Sequence, residues 1–431
     1  MNKLSLIFLA SSFAFVSACG GNGGSNTVVG VDGPGDSKLY KSDISRDQNP
    51  AINTQEYESL SEGNQAFAWE FYALLDEGDN NIFFSPYSIS SALAMTHLGA
   101  AGNTKTEIGD ALNFIAPDEK LHAGMNKLLA ELESRNLEKT ESRQALTLNV
   151  NNTIWPSDAA SPAQAYLDSL AINYGAGVYA LDYFNKPEDS RQTINDAVED
   201  WTQGLIKNLL PAGTITKDTA LVLTNTLYLY APWQTPFYKE ATDQQDFFNL
   251  DGTVASVDMM YRGYTMENSR LDNAELIRLP YRDNKLELIV MMPDMGKFDD
   301  FESSFDPATL KTLLESTQPS YIQLAMPKFT LEIASSLKQH LMTLGMQTAF
   351  TNAADLSPMG IGSVKVSDIV HKAKIELHED GTEAAAATAV IVENTSAPIV
   401  DRQIKIDKPF IFAIHDKPTG ALLFLGRVLK L

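Results

Sequence analysis

Residues 381–393 read Gly-Thr-Glu-Ala-Ala-Ala-Ala-Thr-Ala-Val-Ile-Val-Glu, a stretch whose two halves prefer different structures. The alanine run favours a helix, whereas residues 388–392, rich in β-branched side chains, favour a strand. Conflicts of this kind are typical of functional sites, where one segment has to satisfy more than one requirement. The polar residues 376–380 lead into the stretch, and Gly381 gives it a flexible start.

The same stretch alternates with the two-residue period of a strand. Its even-numbered positions, Thr382 to Val392, carry no charge, and both glutamates, Glu383 and Glu393, occupy odd-numbered positions. A segment of this parity can enter a β-sheet, bury its uncharged face and leave the two carboxylates in water. Small residues at its leading end would ease its entry between strands that are already paired. An exposed alanine-rich loop with accidental alternation is the alternative.

In the rest of the chain, the pattern of apolar residues predicts helices in the first half and mainly strands in the second half. Apolar residues recur at helical spacing in residues 60–75, 85–99, 121–135 and 192–209. Apolar stretches rich in β-branched or aromatic residues predict strands at 220–229, 286–292, 321–331 and 410–414. No second linker, repeat or low-complexity break interrupts residues 56–431, so we expect one α+β domain there.

Short strings occur in a fixed order along this domain. They are Asn-Ile-Phe-Phe-Ser-Pro-Tyr-Ser-Ile at 81–89, Thr-Asn-Thr-Leu-Tyr-Leu at 224–229 with Trp233 and Pro-Phe at 236–237, Leu-Pro-Tyr at 279–281, Met-Pro-Lys-Phe at 326–329, Asp-Lys-Pro-Phe at 407–410 and Phe-Leu-Gly-Arg-Val at 424–428. Each is weak evidence alone, but their joint order and spacing are specific, and from about residue 60 onward they resemble the serpin family. The resemblance implies the serpin fold, in which helices pack on three β-sheets and a reactive-centre loop, here about residues 380–402, is exposed.

The resemblance also implies how the loop acts. The hinge of inhibitory serpins is matched by Glu379, Gly381, Thr382, Glu383, Ala384, Ala385 and Ala386. Non-inhibitory members often carry charged or bulky residues on the inserting face, and none occurs here. In the implied mechanism a protease attacks the loop and forms an acyl-enzyme, and the cut loop then enters the sheet and drags the enzyme across the molecule. Its active site is distorted before hydrolysis finishes, which leaves a covalent complex. A non-inhibitory serpin that binds a ligand or partner is the alternative.

If the loop inserts spontaneously after cleavage, the native fold before cleavage must be kinetically trapped above a more stable state. A strand of about a dozen residues would add hydrogen bonds worth roughly 0.5–1.5 kcal/mol each, on the order of 10 kcal/mol before ordering costs. We therefore expect a metastable native state that is protected by a barrier.

The scissile bond of the family lies at a typical distance past the hinge glycine, and counting from Gly381 places it between Thr395 and Ser396. Val392 and Glu393 are the rival positions. Residues 382–401 contain no lysine or arginine, which disfavours a trypsin-like target. Threonine suits elastase-like or subtilisin-like serine proteases, Val392 favours elastases, and Glu393 favours Glu-specific proteases, with cysteine proteases as a second target class.

Further residues match family positions that control opening of the sheet. A polar cluster beneath the central strands and a salt-bridged region at the top of the opening are matched by Ser85, Ser88, Asn225, His371, Trp233, Lys328 and Glu379. We expect His371 to bond Asn225 and Lys328 to pair with Glu379, because buried polar groups are costly when unpaired. These residues would be gating residues, with ordinary core or surface roles as the alternative.

The sequence disfavours an enzyme. A Ser-His-Asp set could be drawn from Ser85, His97 and one of the aspartates, yet there is no G-x-S-x-G elbow. The six histidines show neither an H-E-x-x-H motif nor a paired-ligand spacing, and no Walker or Rossmann motif occurs. We therefore expect no catalytic residue, cofactor or metal.

The amino terminus predicts export and a lipid anchor. Residues 1–18 combine an early positive charge with an apolar run too short for a comfortable bilayer span, as signal peptides do. The run ends in Val-Ser-Ala-Cys at 16–19, which resembles the lipobox of bacterial lipoproteins, whose cysteine carries a diacylglycerol. Gly20 follows Cys19 in place of the aspartate that resembles an inner-membrane retention signal. This predicts a cell-envelope protein delivered to the outer membrane, with an ordinary secretory signal and secretion as the alternative.

Residues 19–55 shift to Gly, Ser, Asn, Asp and Pro, which predicts a flexible tether before the domain. At about 5–6 Å times the square root of ~35 residues, its mean span would be about 30–35 Å. A tether of that length would hold the domain clear of a membrane surface.

Composition narrows the range of partners. The 431 residues include 55 acidic and 33 basic side chains, and the net charge of −22 repels nucleic-acid phosphates and anionic lipids. Cys19 is the only cysteine, so no intramolecular disulfide can form and stability must come from the core. We expect a monomer whose partners are a target protease and, through the lipid on Cys19, a membrane.

Overall fold

The computed structural model describes residues 31–75, 78–362, 364–382 and 399–431. Within these residues the α-helices are α1 (Thr54–Leu75), α2 (Pro86–Leu98), α3 (Gly102–Ala111), α4 (Asp118–Glu133), α5 (Gln164–Tyr174), α6 (Pro187–Trp201), α7 (Phe298–Ser303), α8 (Pro307–Glu315) and α9 (Lys338–Thr343). Short 3₁₀ turns lie at Lys239–Ala241, Arg282–Asn284, Thr348–Phe350 and Ser357–Met359. None of the described helices is both long enough and apolar enough to cross a bilayer.

The strands of the described residues follow the predicted order, with most of them after the first helices. They are β1 (Val31–Asp32), β2 (Lys38–Tyr40), β3 (Ile82–Phe84), β4 (Thr147–Pro156), β5 (Val178–Ala180), β6 (Leu221–Pro232), β7 (Asp243–Phe248), β8 (Val254–Arg270), β9 (Ala274–Pro280), β10 (Leu286–Pro293), β11 (Gln318–Pro327), β12 (Phe329–Ser336), β13 (Asp368–His378), β14 (Gly381–Thr382), β15 (Arg402–Lys405), β16 (Phe410–Asp416) and β17 (Ala421–Val428). The predicted α+β class is therefore confirmed.

Hydrogen bonding joins the described strands into two sheets. The first has eight strands in the order β1-β2-β5-β4-β6-β14-β13-β12, and the second has nine, in the order β15-β11-β8-β9-β10-β16-β17-β3 with β7 beside β8. The long β8 pairs with β11 over residues 259–268 and with β9 over 268–270, so it belongs to both halves of the second sheet. Those two halves, together with the first sheet, correspond to the three sheets that the sequence predicts.

Helix α2 lies at the centre of the molecule because its sequence is suited to burial on all sides. Every residue from Pro86 to His97 is buried, and the helix contacts β6 of the first sheet and β17 of the second. Its start is fixed locally, since the Ser85 hydroxyl accepts a hydrogen bond from the Ser88 amide and Pro86 occupies the first helical position. The string at 81–89 thus places a polar helix start directly beneath the first sheet.

Two predicted element boundaries were wrong. The helix predicted over 192–209 ends at Trp201, because Gln203, Gly204 and Asn208 adopt positive φ angles that a helix cannot accommodate. The strand predicted over 321–331 is two strands separated at Lys328, β11 in the second sheet and β12 in the first. Lys328 therefore lies where the chain passes between sheets.

Residues 31–53 do not form the predicted flexible tether. Strands β1 and β2 extend the first sheet beyond β5, and the following residues run along α5 and α4. The prediction was wrong here because the unsatisfied edge of β5 offers hydrogen bonds that composition cannot reveal. Residues 19–30 lie outside the described residues, as does the predicted signal peptide.

Candidate functional site

The loop predicted from the sequence begins inside the first sheet. Strand β13 ends at His378, the chain turns, and Gly381–Thr382 return as β14. Thr382 pairs with Leu377 of β13 and with Ala231 of β6, both in antiparallel register. The first two loop residues are thus already a strand with a neighbour on either side, and we call this end of the sheet its top.

Beyond Thr382 the predicted hinge and cleavage residues lie outside the described residues. These are Glu383, Ala384, Ala385, Ala386, Val392, Glu393, Thr395 and Ser396, and the lipidation candidate Cys19 likewise falls outside. The described chain resumes at residue 399 and enters β15, which runs parallel to β11 at the edge of the second sheet.

The one side chain of β14, that of Thr382, faces the interior as the parity of the loop requires. Thr382 is 3% exposed, and its hydroxyl lies 2.6 Å from the hydroxyl of Tyr281. Gly381 has a positive φ, and a Cβ at this position would collide with the backbone of Ala231 and Pro232. The even-numbered face of the loop therefore starts out buried, and a glycine is needed where the chain enters the sheet.

A gap separates β6 from β13 below β14. The two strands pair with each other, in parallel, only between residues 222–225 and 368–371 at the bottom of the sheet. At the top they are separated by β14. Between these two ends β6 and β13 do not pair with each other, so an added strand could be antiparallel to both.

A polar cluster marks the point where this gap begins. His371 and Asn225 form the last parallel pair at the bottom, and Nδ1 of His371 lies 2.8 Å from Oδ1 of Asn225. The Ser85 amide donates to Nε2 of His371 at 3.1 Å, so Nε2 is the acceptor and the proton resides on Nδ1. Burial lowers the pKa of His371 to about 3, which keeps the ring neutral.

The amide of Asn225 continues the cluster to two further elements. Its Nδ2 donates to the Ser88 carbonyl of α2 and, at 2.6 Å, to Oδ1 of Asn152 on β4. The Ser85 hydroxyl donates to the Leu423 carbonyl of β17 at 2.6 Å. Separating β6 from β13 past His371 therefore breaks a fully buried bond that links both halves of the sheet to the helix beneath.

A second cluster stabilises the top of the gap. Trp233, 2% exposed, donates from Nε1 to the His378 carbonyl at 2.9 Å and stacks on Tyr281 with ring centroids 4.6 Å apart. Lys328 and Glu379 form an ion pair at 3.1 Å, so the structure brings together the pair that the sequence predicted. Burial opposes ionisation of Glu379, but hydrogen bonds from Thr242, its own backbone and Lys328 outweigh it and lower the pKa of this carboxyl.

Sequence reasoning missed several residues of the two clusters. They are Asn152, Tyr281 and Thr242. Tyr281 could have been found, because it belongs to the Leu-Pro-Tyr string already noted. Nothing in the local sequence distinguishes Asn152, since its role arises from strand pairing across the sheet.

Neither cluster has the geometry of a catalytic centre. Ser85 precedes α2 and His97 lies near its end, roughly 18 Å away along the helix at 1.5 Å per residue, so they cannot form a nucleophile–base pair. Among the described residues no group of three or more His, Cys, Asp or Glu side chains could hold a metal ion. The described clusters join strands of the first sheet to one another and to the elements beneath, which is a structural arrangement.

Comparisons of the sequence and of the fold with known proteins all identify members of the same family as similar. The family model "Serpin (serine protease inhibitor)" matches residues 62–431. Human Serpin B4 is 35% identical over 393 residues, covering 86% of this chain and 98% of that protein, and a serpin-like protein of Methanosarcina mazei is 34% identical, covering 86% and 87%. The crystal structure of human thyroxine-binding globulin complexed with thyroxine has a TM-score of 0.78 and 28% identity, covering 87% of this chain and 99% of that one.

Proposed function

Since the chain belongs to the serpin family, we propose that it is an inhibitory serpin that traps serine proteases covalently as a suicide substrate. The observation that carries this proposal is the strand β14. It places the start of the loop at the top of a gap whose two sides, β6 and β13, can both accept an antiparallel strand. Thr382 is buried there and uncharged small residues follow it on the same face, so the sequence allows the loop to continue downward.

The two polar clusters would act as gates in this mechanism. The bond between His371 and Asn225 closes the bottom of the gap, and the pair of Lys328 and Glu379 with Trp233 fixes the turn at its top. Both must rearrange for a longer strand to enter, which gives the uncleaved protein a barrier against premature insertion.

The test is formation of a covalent complex. The protein without its signal peptide is incubated with pancreatic elastase and with subtilisin, and the products are separated under denaturing conditions. We expect a band near the summed masses of protein and protease that survives denaturant. The matched control is the same protease with its active-site serine blocked, which should yield no such band. Clean cleavage without a stable complex, across a broad protease panel, would contradict inhibition.

For the cleavage site we propose the bond between Thr395 and Ser396, with Val392 and Glu393 as rival positions before the cut. Mass spectrometry of the peptide released from the complex identifies the bond directly. Release of a peptide beginning at Ser396 is the expected result, and a peptide beginning at Glu393 or Asn394 would transfer the assignment to a rival.

A ligand-binding serpin without inhibitory activity is the second candidate. It is favoured by the likeness to thyroxine-binding globulin, a serpin whose structure was determined with thyroxine bound. The two candidates differ in the fate of the cut loop, because only an inhibitor needs insertion that is faster than completion of hydrolysis.

We further propose that Cys19 carries a lipid that anchors the protein in the cell envelope, at the outer membrane. Residues 31–53 are held against the domain, so at most eleven residues separate Cys19 from the described chain. At roughly 3.3–3.6 Å per residue they reach no more than about 40 Å, so the domain would stay near the membrane surface. Labelling of the wild type, but not of Cys19→Ala, by radioactive palmitate in cells would support the anchor, and equal labelling would exclude it.

A further inference from the structure

Residues 31–53, which we call the N-terminal strap, are joined first to the edge of the first sheet. Lys38, Leu39 and Tyr40 of β2 pair antiparallel with residues 178–180 of β5, and β1 lies outside β2. An exposed ion pair of 2.8 Å between Asp36 and Lys186 joins the strap to the residue before α6. The sheet half that carries β5, β4 and β6 therefore ends in the strap.

The strap is then joined to the helices α5 and α4. The Ser42 hydroxyl donates to Asp168 of α5 at 2.6 Å, and the Asp47 amide donates to the Ile172 carbonyl at 2.9 Å. On α4 the side chain of Asn126, fully buried, receives the Arg46 Nε at 2.5 Å and returns a bond to the Asp47 carbonyl at 2.7 Å.

Arg46 is the centre of these contacts. Its guanidinium also donates to the Asn126 carbonyl at 2.8 Å and forms an ion pair of 2.7 Å with Glu133. The Arg46 side chain is only 16% exposed, so its charge-assisted bonds to Asn126 are shielded from solvent, whereas its ion pair with Glu133, whose side chain is 53% exposed, lies at the surface and contributes less.

The position of the strap relates these contacts to the gap. When the gap between β6 and β13 widens, β6 has to move together with β4 and β5, because these strands are hydrogen-bonded to one another. Helices α4 and α5 contact α1 and α2, the helices behind the sheet. A sheet half that slides over this helix layer must break the contacts of the strap or carry α4 and α5 with it.

We propose that the N-terminal strap restrains the widening of the gap and so sets the rate at which a loop strand enters the first sheet. This inference deepens the proposed inhibitory function and rests on it for its biological meaning. The strap restrains strand separation from the edge of the sheet, and it is distant in sequence from the loop and from both polar clusters. Arg46 is a positioning residue that holds the strap in place.

The test measures opening of the gap directly. A synthetic peptide of residues 382–394 is added to the full-length uncleaved protein without its signal peptide, and its incorporation as an extra strand is followed by native gel shift. We expect Arg46→Ala to incorporate the peptide about tenfold faster than wild type and Arg46→Lys to fall between. Arg270→Ala, which removes ion pairs with Asp294 and Glu275 at the end of β8 in the second sheet, is the matched control and should behave as wild type.

Equal rates for wild type, Arg46→Ala and Arg270→Ala would overturn the proposal, and so would the absence of incorporation in all of them. If Arg46→Ala does not fold, as judged by circular dichroism, Ser42→Ala replaces it, because this variant removes only the bond to Asp168 and the local bond that the Ser42 hydroxyl accepts from the Ile44 amide. If the wild type traps protease while all variants incorporate the peptide at equal rates, the restraint by the strap is refuted and inhibition is not. A wild type that fails to trap protease while Arg46→Ala accelerates incorporation refutes inhibition alone.

Discussion

At the scale of single residues, His371 links the two halves of the first sheet through a side-chain hydrogen bond. Its ring accepts from the Ser85 amide and donates to Asn225 at the last parallel pair of β6 and β13. Both nitrogens are used only in the neutral form with the proton on Nδ1. A proton added to Nε2 would face the Ser85 N–H, so acid breaks this contact and leaves a buried charge.

The buried histidine predicts a dependence of stability on pH. An unfolded histidine titrates near 6.5, whereas burial lowers the pKa of folded His371 to about 3. Between these values the unfolded state binds more protons, so the free energy of unfolding falls as pH falls, by up to about 1.4 kcal/mol per pH unit for each such histidine. His371→Gln should be less stable at pH 7.5 by about 1–3 kcal/mol, with a slope between pH 6 and pH 4 that is shallower by about one proton.

Urea midpoints between pH 7.5 and pH 4 measure this slope. The matched control is Ser88→Ala in the same cluster, because the Ser88 hydroxyl is buried without a hydrogen-bond partner among the described residues. It should keep the wild-type slope. Equal slopes for His371→Gln and wild type would mean that another group, such as His97 or His122, accounts for the acid sensitivity; burial lowers the pKa of these two histidines to about 4 and about 3.

At the scale of elements, the sequence predicted those parts whose signals are local. The start of α2 follows from Ser85 as cap and Pro86 after it, and the buried β6 follows from an apolar run. The pairing of His371 with Asn225 came from a match to family positions, and its geometry required strands 146 residues apart in sequence. The strands β1 and β2 could not be predicted, because two or three residues show no period and their partner β5 lies far along the chain.

The two-residue strand β14 gives a prediction about the hinge. Thr382 is buried between β6 and β13 against Tyr281, so Thr382→Arg would bring an unpaired charge into the sheet at the start of insertion. We expect this variant to be cleaved at the wild-type rate but to form at least about tenfold less covalent complex, since a penalty of 1.4 kcal/mol on the insertion step already slows it tenfold. Densitometry of complex and cleaved product after reaction with elastase measures the partition.

The parity of the loop supplies a matched control for the hinge. Glu383→Arg introduces the same side chain one residue later, on the face that the alternation predicts to stay in water. This variant should retain the wild-type yield of complex. If both variants lose trapping equally, the alternation does not describe how the loop enters the sheet, and if neither does, insertion beyond β14 is not part of the mechanism.

At the scale of the whole molecule, the first sheet contains a gap between β6 and β13, and the proposed function requires that filling this gap releases free energy. The short β14 lies between β6 and β13, which pair with each other only at the bottom of the sheet. A longer β14 would fill the space between them, and hydrogen bonding across the eight strands would then be continuous. In the mechanism that we propose, the clusters around His371 and Glu379 and the N-terminal strap all have to move before a longer strand can enter. Stability and function are therefore opposed, because each contact that keeps the native sheet closed delays the transition that we propose as its function.

This opposition predicts that cutting the loop stabilises the protein. If about a dozen residues enter the sheet with a gain on the order of 10 kcal/mol before ordering costs, and the unfolding entropy is about 2.1 cal/mol/K per residue over some 375 residues, Tm should rise by at most roughly 10–15 °C. Scanning calorimetry of intact protein and of protein cut once in the loop measures the shift, with Thr382→Arg cut in the same way as the control for a loop that enters slowly. A cut wild type with an unchanged Tm would show that the gap does not accept the loop, and the ligand-binding alternative would then be favoured. A cut Thr382→Arg that reaches the wild-type Tm only after prolonged incubation would separate the final stability of insertion from its rate, and the rate is the quantity on which protease trapping depends.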